Sequence, residues 1–331
     1  MKRFVCFGEI LLRLTAPGRE MLLQSPRLDA HFGGAEANVA ASLARFGHAT
    51  RMASILPDNA IGIAARDALR AHGVDTGPIA FAPGRIGLYF LTQGAGQRPA
   101  DVLYDRAGSA FASATADAID WADALAGADW LHISGITPAV STASGVAALA
   151  AMKAARSAGV RVSFDANFRA KLWEARGDDP RPVLDAMFAE ADLAFAEARD
   201  IGLVAGQRCT SGEEAAAIAF ARYPNLHRVA ATERKVVSAD HHELTGVMFT
   251  RAGAARTRTH TLTGIVDRIG GGDAFAAGVL HGLASGAGDQ DVLDFAIGAA
   301  CLKHFIPGDV NLSSGADVRF YLAETGSDVR R

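Results

Sequence analysis

Short apolar runs rich in β-branched and aromatic residues alternate along this chain with alanine-rich stretches of helical period, and that alternation restricts the fold more than any other feature. Strands separated by helices pair in parallel, because the crossover helix carries the chain back to start the next strand from the same end of the sheet. Strands are expected at 5–11, 130–134, 160–164, 192–195 and 229–232, several of them apolar almost throughout, as strands covered on both faces should be. Between the second and third, residues 141–158 set Val146, Leu149, Ala150 and Met152 at near-helical spacing and stop at Gly159. A further helix begins at Ser211, where Glu214 completes a capping box ahead of Ile218 and Phe220. The fold class that follows is α/β, with a mostly parallel central sheet between two helical layers. With 331 residues, 50% of them hydrophobic, the chain can bury a full core, and one domain over 1–331 accounts for its length.

Two segments break the alternation. Residues 13–32 and 85–106 carry Thr, Tyr, Phe and Leu with Gly and Pro punctuation and no helical period. They are expected to pair into a small β flap over the carboxyl ends of the parallel strands, where open α/β sheets bind ligands. Exposed flap strands are edges that can pair with another subunit, so a homo-oligomer joined through the flap is expected.

Charge excludes some partners. The net charge is -3 with both signs interspersed, which leaves no basic footprint for nucleic acid or an anionic membrane. No stretch approaches the roughly 20 uncharged apolar residues of a membrane helix. The start has a basic pair and an apolar run, but Gly8, Glu9 and Arg13 interrupt it, so it is expected to be a buried first strand and not a signal peptide. Cys6, Cys209 and Cys301 stand far apart without a CxxC pair, which suits a reducing compartment and a cytoplasmic protein. The ten histidines show no metal-ligand spacing, and no direct protein ligand for a metal is expected.

The chemistry concentrates at Gly270, Gly271, Gly272 and Asp273, which open a helix with Phe275, Val279, Leu280 and Leu283 on its apolar stripe. Three glycines leave backbone N–H groups unobstructed at a helix N-terminus, the arrangement that collects anionic oxygens. Capping alone would explain Asp273 but not the glycines. Phosphoryl transfer explains both: the amides hold phosphate oxygens while the carboxylate accepts the proton of an attacking hydroxyl. The spacing is neither that of a Walker loop nor GxGxxG.

The GGGDAFAAG run at 270–278 resembles the C-terminal signature of the ribokinase-like (PfkB) carbohydrate kinases, and GGAEANVA at 33–40 resembles their N-terminal signature. The likeness covers essentially the whole chain and is sharpest with the 2-keto-3-deoxygluconate kinases. It is carried also by 87–89, 104–110, 134–138, 165–169, Leu172-Trp173 and 265–278. It implies a ribokinase-like three-layer α/β/α sandwich with the flap as a β lid. The implied activity is ATP-dependent phosphorylation of 2-keto-3-deoxygluconate at its 6-hydroxyl, with Asp273 as base.

For the sugar acid the resemblance implies Gly33, Gly34, Asn38, Tyr89, Tyr104, Arg106, Ile136, Arg169 and Asp273, with the arginines offering a bidentate fork to the carboxylate. For ATP it implies Asp165, Asn167, Glu197, Asp200, Thr232, Arg234, Gly270, Gly272 and Asn311. Magnesium would be held through phosphates and water, and potassium or another monovalent cation is a further expectation near 303–311. Glu197 and Asp200 depart from the family's Asn-x-x-Glu but keep oxygen ligands at the same spacing. Two alternatives stand beside this reading: a kinase for a neutral sugar such as fructose or ribose, and a sugar-sensing protein without catalysis.

Overall fold

The computed structural model describes residues 1–323. Its main sheet has strands β1 (Arg3–Phe7), β4 (Ala49–Pro57), β5 (Ile79–Ala82), β8 (Trp130–Ser134), β9 (Arg161–Asp165), β10 (Leu193–Phe195), β11 (Arg228–Ser238), β12 (His241–Thr250), β13 (Gly253–Arg256) and β14 (His260–Thr263). A second sheet holds β2 (Leu11–Thr15), β3 (Asp29–Gly33), β6 (Gly87–Thr92) and β7 (Asp101–Asp105).

The main order is β13-β12-β11-β10-β9-β8-β1-β4-β5, with β14 on β12, and every pair from β11 through β5 is parallel. Only the β11–β14 end is antiparallel. From β1 the chain builds outward first toward β5 and later toward β11, so the crevice outside β1 and β8 is the topological switch point.

Side-chain alternation on β1 explains the layers. Phe4 and Cys6 face one core with the helices Ala35–Arg45, Gly271–Ala284 and Asp289–Lys303, while Val5 and Phe7 face a second core with helices from 142 to 222. At roughly 1.5–3 kcal/mol for each large apolar side chain buried, these two cores supply the main stabilisation of the sheet.

Three local expectations change. The single strand expected at 5–11 is two: Phe7 ends β1, and Gly8, Glu9 and Ile10 redirect the chain so that Leu11 opens β2 in the second sheet. The helix Thr142–Ser157 begins under Ser141, but its buried face is Ala147, Ala148, Ala151, Met152 and Ala155; Val146 is exposed. Small residues let this helix lie close to the sheet, and the larger Val146 falls outside that contact. At Ser211 only half the capping box forms, since the Glu214 carboxylate accepts from the Thr210 amide at 2.7 Å and not from Ser211.

The second sheet runs in the order β3-β2-β6-β7, and its central pair, β2 with β6, is parallel and joins the two segments that broke the alternation. It hangs from the carboxyl ends of β1 and β5, on the ligand side of the main sheet. Among the described residues no helix is long and apolar enough to cross a membrane.

Candidate active site

A cleft of about 710 Å³ opens between the second sheet and the carboxyl ends of β8–β11. That volume suits a nucleotide and a small sugar together. One wall starts at Gly34, which caps the helix Ala35–Arg45 at φ 154° and comes so close to β1's exit that a Cβ would sit 2.2 Å from the Glu9 carbonyl. Glycine is required there by backbone and by space. The helix presents Glu36 and Asn38, both buried, on its first turns. Glu36 Oε1 accepts from the Ser134 amide at 2.9 Å, the Ser134 hydroxyl at 2.7 Å and the Thr137 hydroxyl at 2.7 Å, tying this helix to the end of β8. Burial pushes the Glu36 carboxyl up from its ordinary range, with the Ser134 and Thr137 hydrogen bonds opposing.

Asn38 Nδ2 donates to Asp273 Oδ2 at 2.7 Å, so the N-terminal and C-terminal motifs, 235 positions apart, meet at one carboxylate. Asp273 lies in the first turn of the helix Gly271–Ala284. Desolvation in the cleft pushes its pKa up to about 7; the Asn38 hydrogen bond and the charge of Arg169 pull it down, while Asp309 and Glu36 add to the rise. A carboxylate poised near neutrality can accept a proton from a hydroxyl and give it up again.

The three glycines divide their roles. Gly270 has φ 80°, and a Cβ there would lie 2.0 Å from the Asp309 carbonyl; a Cβ on Gly271 would lie 2.8 Å from the His304 ring. Gly272 has neither constraint, with nothing within 4 Å of its Cβ position. Among the described residues the Gly271 amide meets only the Arg268 carbonyl, at 3.4 Å, and the amides of Gly272 and Asp273 have no acceptor. Two helix-tip N–H groups therefore point out unpaired beside a carboxylate.

The second sheet contributes Tyr89 from β6 and Tyr104 from β7, paired in register with ring centroids 5.9 Å apart. Arg106, one residue past β7, lies over the Tyr104 ring at 5.9 Å. The Tyr89 hydroxyl donates to Asp309. Arg106 is buried with Nε 2.8 Å from Glu9 Oε2, which also takes one N–H of Nη2, leaving the second Nη2 N–H and both N–H groups of Nη1 for a ligand. Arg169, exposed at the start of Ala170–Arg176, has no such partner, and its charge lowers the pKa of both Asp165 and Asp273.

On the opposite wall, Asp165 ends β9 and accepts from the Asn167 amide at 3.1 Å. Asn167 itself adopts φ 34°, a left-handed conformation that a non-glycine residue enters at a cost of order 1–3 kcal/mol and that clusters at functional sites. Burial, then the charges of Asp273 and Asp200, push Asp165 up to about 8. Asp200 caps its own helix through Oδ2 to the Glu197 amide at 2.8 Å, and its buried Oδ1 has no hydrogen-bond partner among the described residues, only an ion pair with Arg199 Nε at 3.5 Å. That oxygen, with Asp165 and Glu197 on the same wall, offers the carboxylate donors that suit a hydrated magnesium ion. Arg169, Arg199, Arg234 and Arg268 line the same half, with Arg199 paired to Glu197 at 3.2 Å; burial, then its arginine neighbours, lower the pKa of Arg234 against the opposing charge of Glu197.

The cleft thus gathers Gly34, Asn38, Tyr89, Tyr104, Arg106, Ile136, Arg169 and Asp273 on one side and Asp165, Asn167, Glu197, Asp200, Thr232, Arg234, Gly270 and Gly272 on the other. Three expected residues lie off it. Gly33 packs under Asp309, Gly271 under His304, and Asn311 is buried with Oδ1 accepting from the Ser313 amide at 3.0 Å. The roles of Glu9 and Arg13 went unrecognised in the sequence, because each is defined by a partner distant in the chain, while Lys303 and Asp309 stood only within the 303–311 run expected near a cation. The one local sign was an arginine on the inward face of β2, where Leu11, Arg13 and Thr15 are the buried positions.

Comparison with known proteins agrees with this geometry. Residues 1–311 match the pfkB family carbohydrate kinases. The chain is 31% identical to a 2-dehydro-3-deoxygalactonokinase of Haloferax volcanii, over 92% of each chain. It is 27% identical to a 2-dehydro-3-deoxygluconokinase of Thermoproteus tenax, over 93% of this chain and 90% of that one. The crystal structure of a 2-dehydro-3-deoxygluconokinase from Thermotoga maritima superimposes with a TM-score of 0.92 at 36% identity, covering 98% of this chain and all of the other. With matching signatures at both ends of the chain, the same three-layer fold and a carboxylate set beside free helix-tip amides, the protein belongs to the pfkB family of carbohydrate kinases.

Proposed function

We propose that the protein phosphorylates 2-keto-3-deoxygluconate at its 6-hydroxyl, using ATP. The observation that carries this reading is Asp273, held by Asn38 at 2.7 Å next to the unpaired amides of Gly272 and Asp273, in a cleft that also holds Arg106 and Arg169. Asp273 accepts the proton of the 6-hydroxyl as the O6–P bond forms and the bond to the β-phosphate oxygen breaks, releasing ADP. The helix-tip amides stabilise charge on the transferring group, and the arginines of the opposite wall hold the polyphosphate. Asp165, Glu197 and Asp200 would hold magnesium through water, and the ion supplies charge neutralisation on the phosphates. On the sugar side, Arg169 and the remaining N–H groups of Arg106 face the acid carboxylate, while Tyr89 and Tyr104 wall the chain of hydroxyls. The second sheet serves as a lid, and its β7 edge joins two copies of the chain.

A second reading follows from the Haloferax relative, whose name specifies the C4 epimer, 2-dehydro-3-deoxygalactonate. ATP consumption measured across both epimers, fructose and ribose separates the possibilities. Highest kcat/KM is expected on a 2-keto-3-deoxy sugar acid. Arg106→Ala should cost that substrate about 10- to 100-fold, the worth of one charged hydrogen bond, and cost a neutral sugar much less. A chain that prefers fructose and is indifferent to Arg106→Ala would overturn the proposal.

A further inference from the structure

Behind the Gly270 turn, four ionisable side chains are shut away from water: Arg13, Asp267, Lys303 and Asp309, with exposures of 1%, 1%, 0% and 3%. Arg13 bridges Asp267 at 2.6 Å and Asp309 at 2.7 Å. Every carboxylate oxygen already accepts a hydrogen bond. Asp267 Oδ1 accepts from the Ile269 amide at 3.0 Å and Oδ2 from the Gly308 amide at 3.0 Å as well as from Arg13; Asp309 Oδ2 accepts from Tyr89. Lys303 Nζ donates to the Ile306 carbonyl at 2.9 Å, and its Cε lies 3.2 Å from where a Gly270 Cβ would stand. Two formal positive charges thus meet two negative ones in a dry interior. Burial lowers the Lys303 pKa to about 8, and the fields of Asp267 and Asp309 hold its proton, so it stays charged at neutral pH.

This neighbourhood is where the resemblance read from sequence placed a monovalent cation, and the residues do not fit one. A dissociable cation needs several oxygens whose charge is not already met, whereas both carboxylates are paired with the Arg13 guanidinium and the Ile306 carbonyl is taken by an ammonium. We propose that Lys303 is a built-in cation: its ammonium stands in for a dissociable monovalent ion behind the Gly270–Gly272 turn, so the kinase works without potassium. Lys303 is a positioning residue. It does not line the cleft, and it acts through the turn it supports and through the field it sets near Asp273.

The proposal rests on the phosphoryl-transfer reading of that turn, and a melting measurement that needs no sugar keeps the two separable. Wild-type turnover and melting temperature should be the same within twofold and within error, respectively, in potassium chloride and in choline chloride at equal ionic strength. Lys303→Ala, which removes the charge and opens space, should lose roughly 10- to 100-fold in turnover in choline, as loss of a supporting partner typically does. Potassium or methylammonium chloride should restore part of that turnover and raise the variant's melting temperature, with no such rise in the wild type. Lys303→Met, neutral but space-filling, should lose turnover without rescue. Potassium stimulation of the wild type by tenfold or more, or potassium-dependent melting of the wild type, would overturn the proposal even if no variant folds; so would Lys303→Met with wild-type turnover.

Discussion

Asp273 is asked to be a base in a place that disfavours its charge. With its pKa near 7 against an ordinary 3.8, the folded chain holds a proton there that the unfolded chain releases, so the folded state is penalised as pH rises from about 4 through 7. Asp273→Asn removes that penalty. The variant should lose about 10²-fold or more in turnover, the scale of general-base loss, while its unfolding free energy at pH 8 rises by about 1 kcal/mol or more. Denaturant titration at pH 5 and pH 8 checks the sign, because the gain should shrink at the lower pH. Wild-type kcat/KM should fall toward tenfold per pH unit below about 7. An Asp273→Asn enzyme with near-normal turnover would remove the carboxylate from the chemistry. This residue was legible in the sequence because its partners in meaning, the three glycines, are its neighbours in the chain. Glu9 was not: what makes it matter is Arg106, 97 positions away.

Among the elements, the helix Gly271–Ala284 shows how a motif mixes structural and chemical demands. Gly270 answers to a left-handed backbone and Gly271 to the His304 ring, so two of three glycines would be kept in a protein with no ligand. Gly272 is the exception. It adopts helical geometry with open space around its Cβ position, and alanine there should gain roughly 0.5–1 kcal/mol of helix propensity. If the amide tip cradles phosphate, the added methyl group intrudes on the ligand: Gly272→Ala should fold at least as stably and lose tenfold or more in affinity for magnesium ATP by calorimetry. Unchanged affinity would detach the turn from the nucleotide. The β flap was visible as two segments lacking helical period, and β2 with β6 forms its centre. Its exact start was not, because 3–15 is apolar on both sides of the Gly8-Glu9 bend and only the bend separates β1 from β2.

At the scale of the molecule, Arg13 clamps the second sheet to the carboxyl-terminal segment through Asp267 and Asp309. Removing one member of such a buried set typically costs about 3–5 kcal/mol by stranding the opposite charge. The outer edge of that sheet is β7, with Leu103 58% and Tyr104 42% exposed beside the cleft. Unpaired backbone and apolar side chains on one edge are what a second copy could cover, so the chain should run as a homodimer or larger assembly by light scattering at micromolar concentration. Leu103→Lys should shift it toward monomer, and a wild-type monomer would end the idea.

The sequence by itself determined the layered α/β architecture and both glycine-bearing motifs, since hydrophobic period and turn chemistry are written over a few neighbouring residues. Only the tertiary structure decided which arginine stays free, that Tyr89 serves Asp309, and that Arg13 and Lys303 form a buried charge set. Burial and partnership join positions hundreds of residues apart, and no local pattern records them.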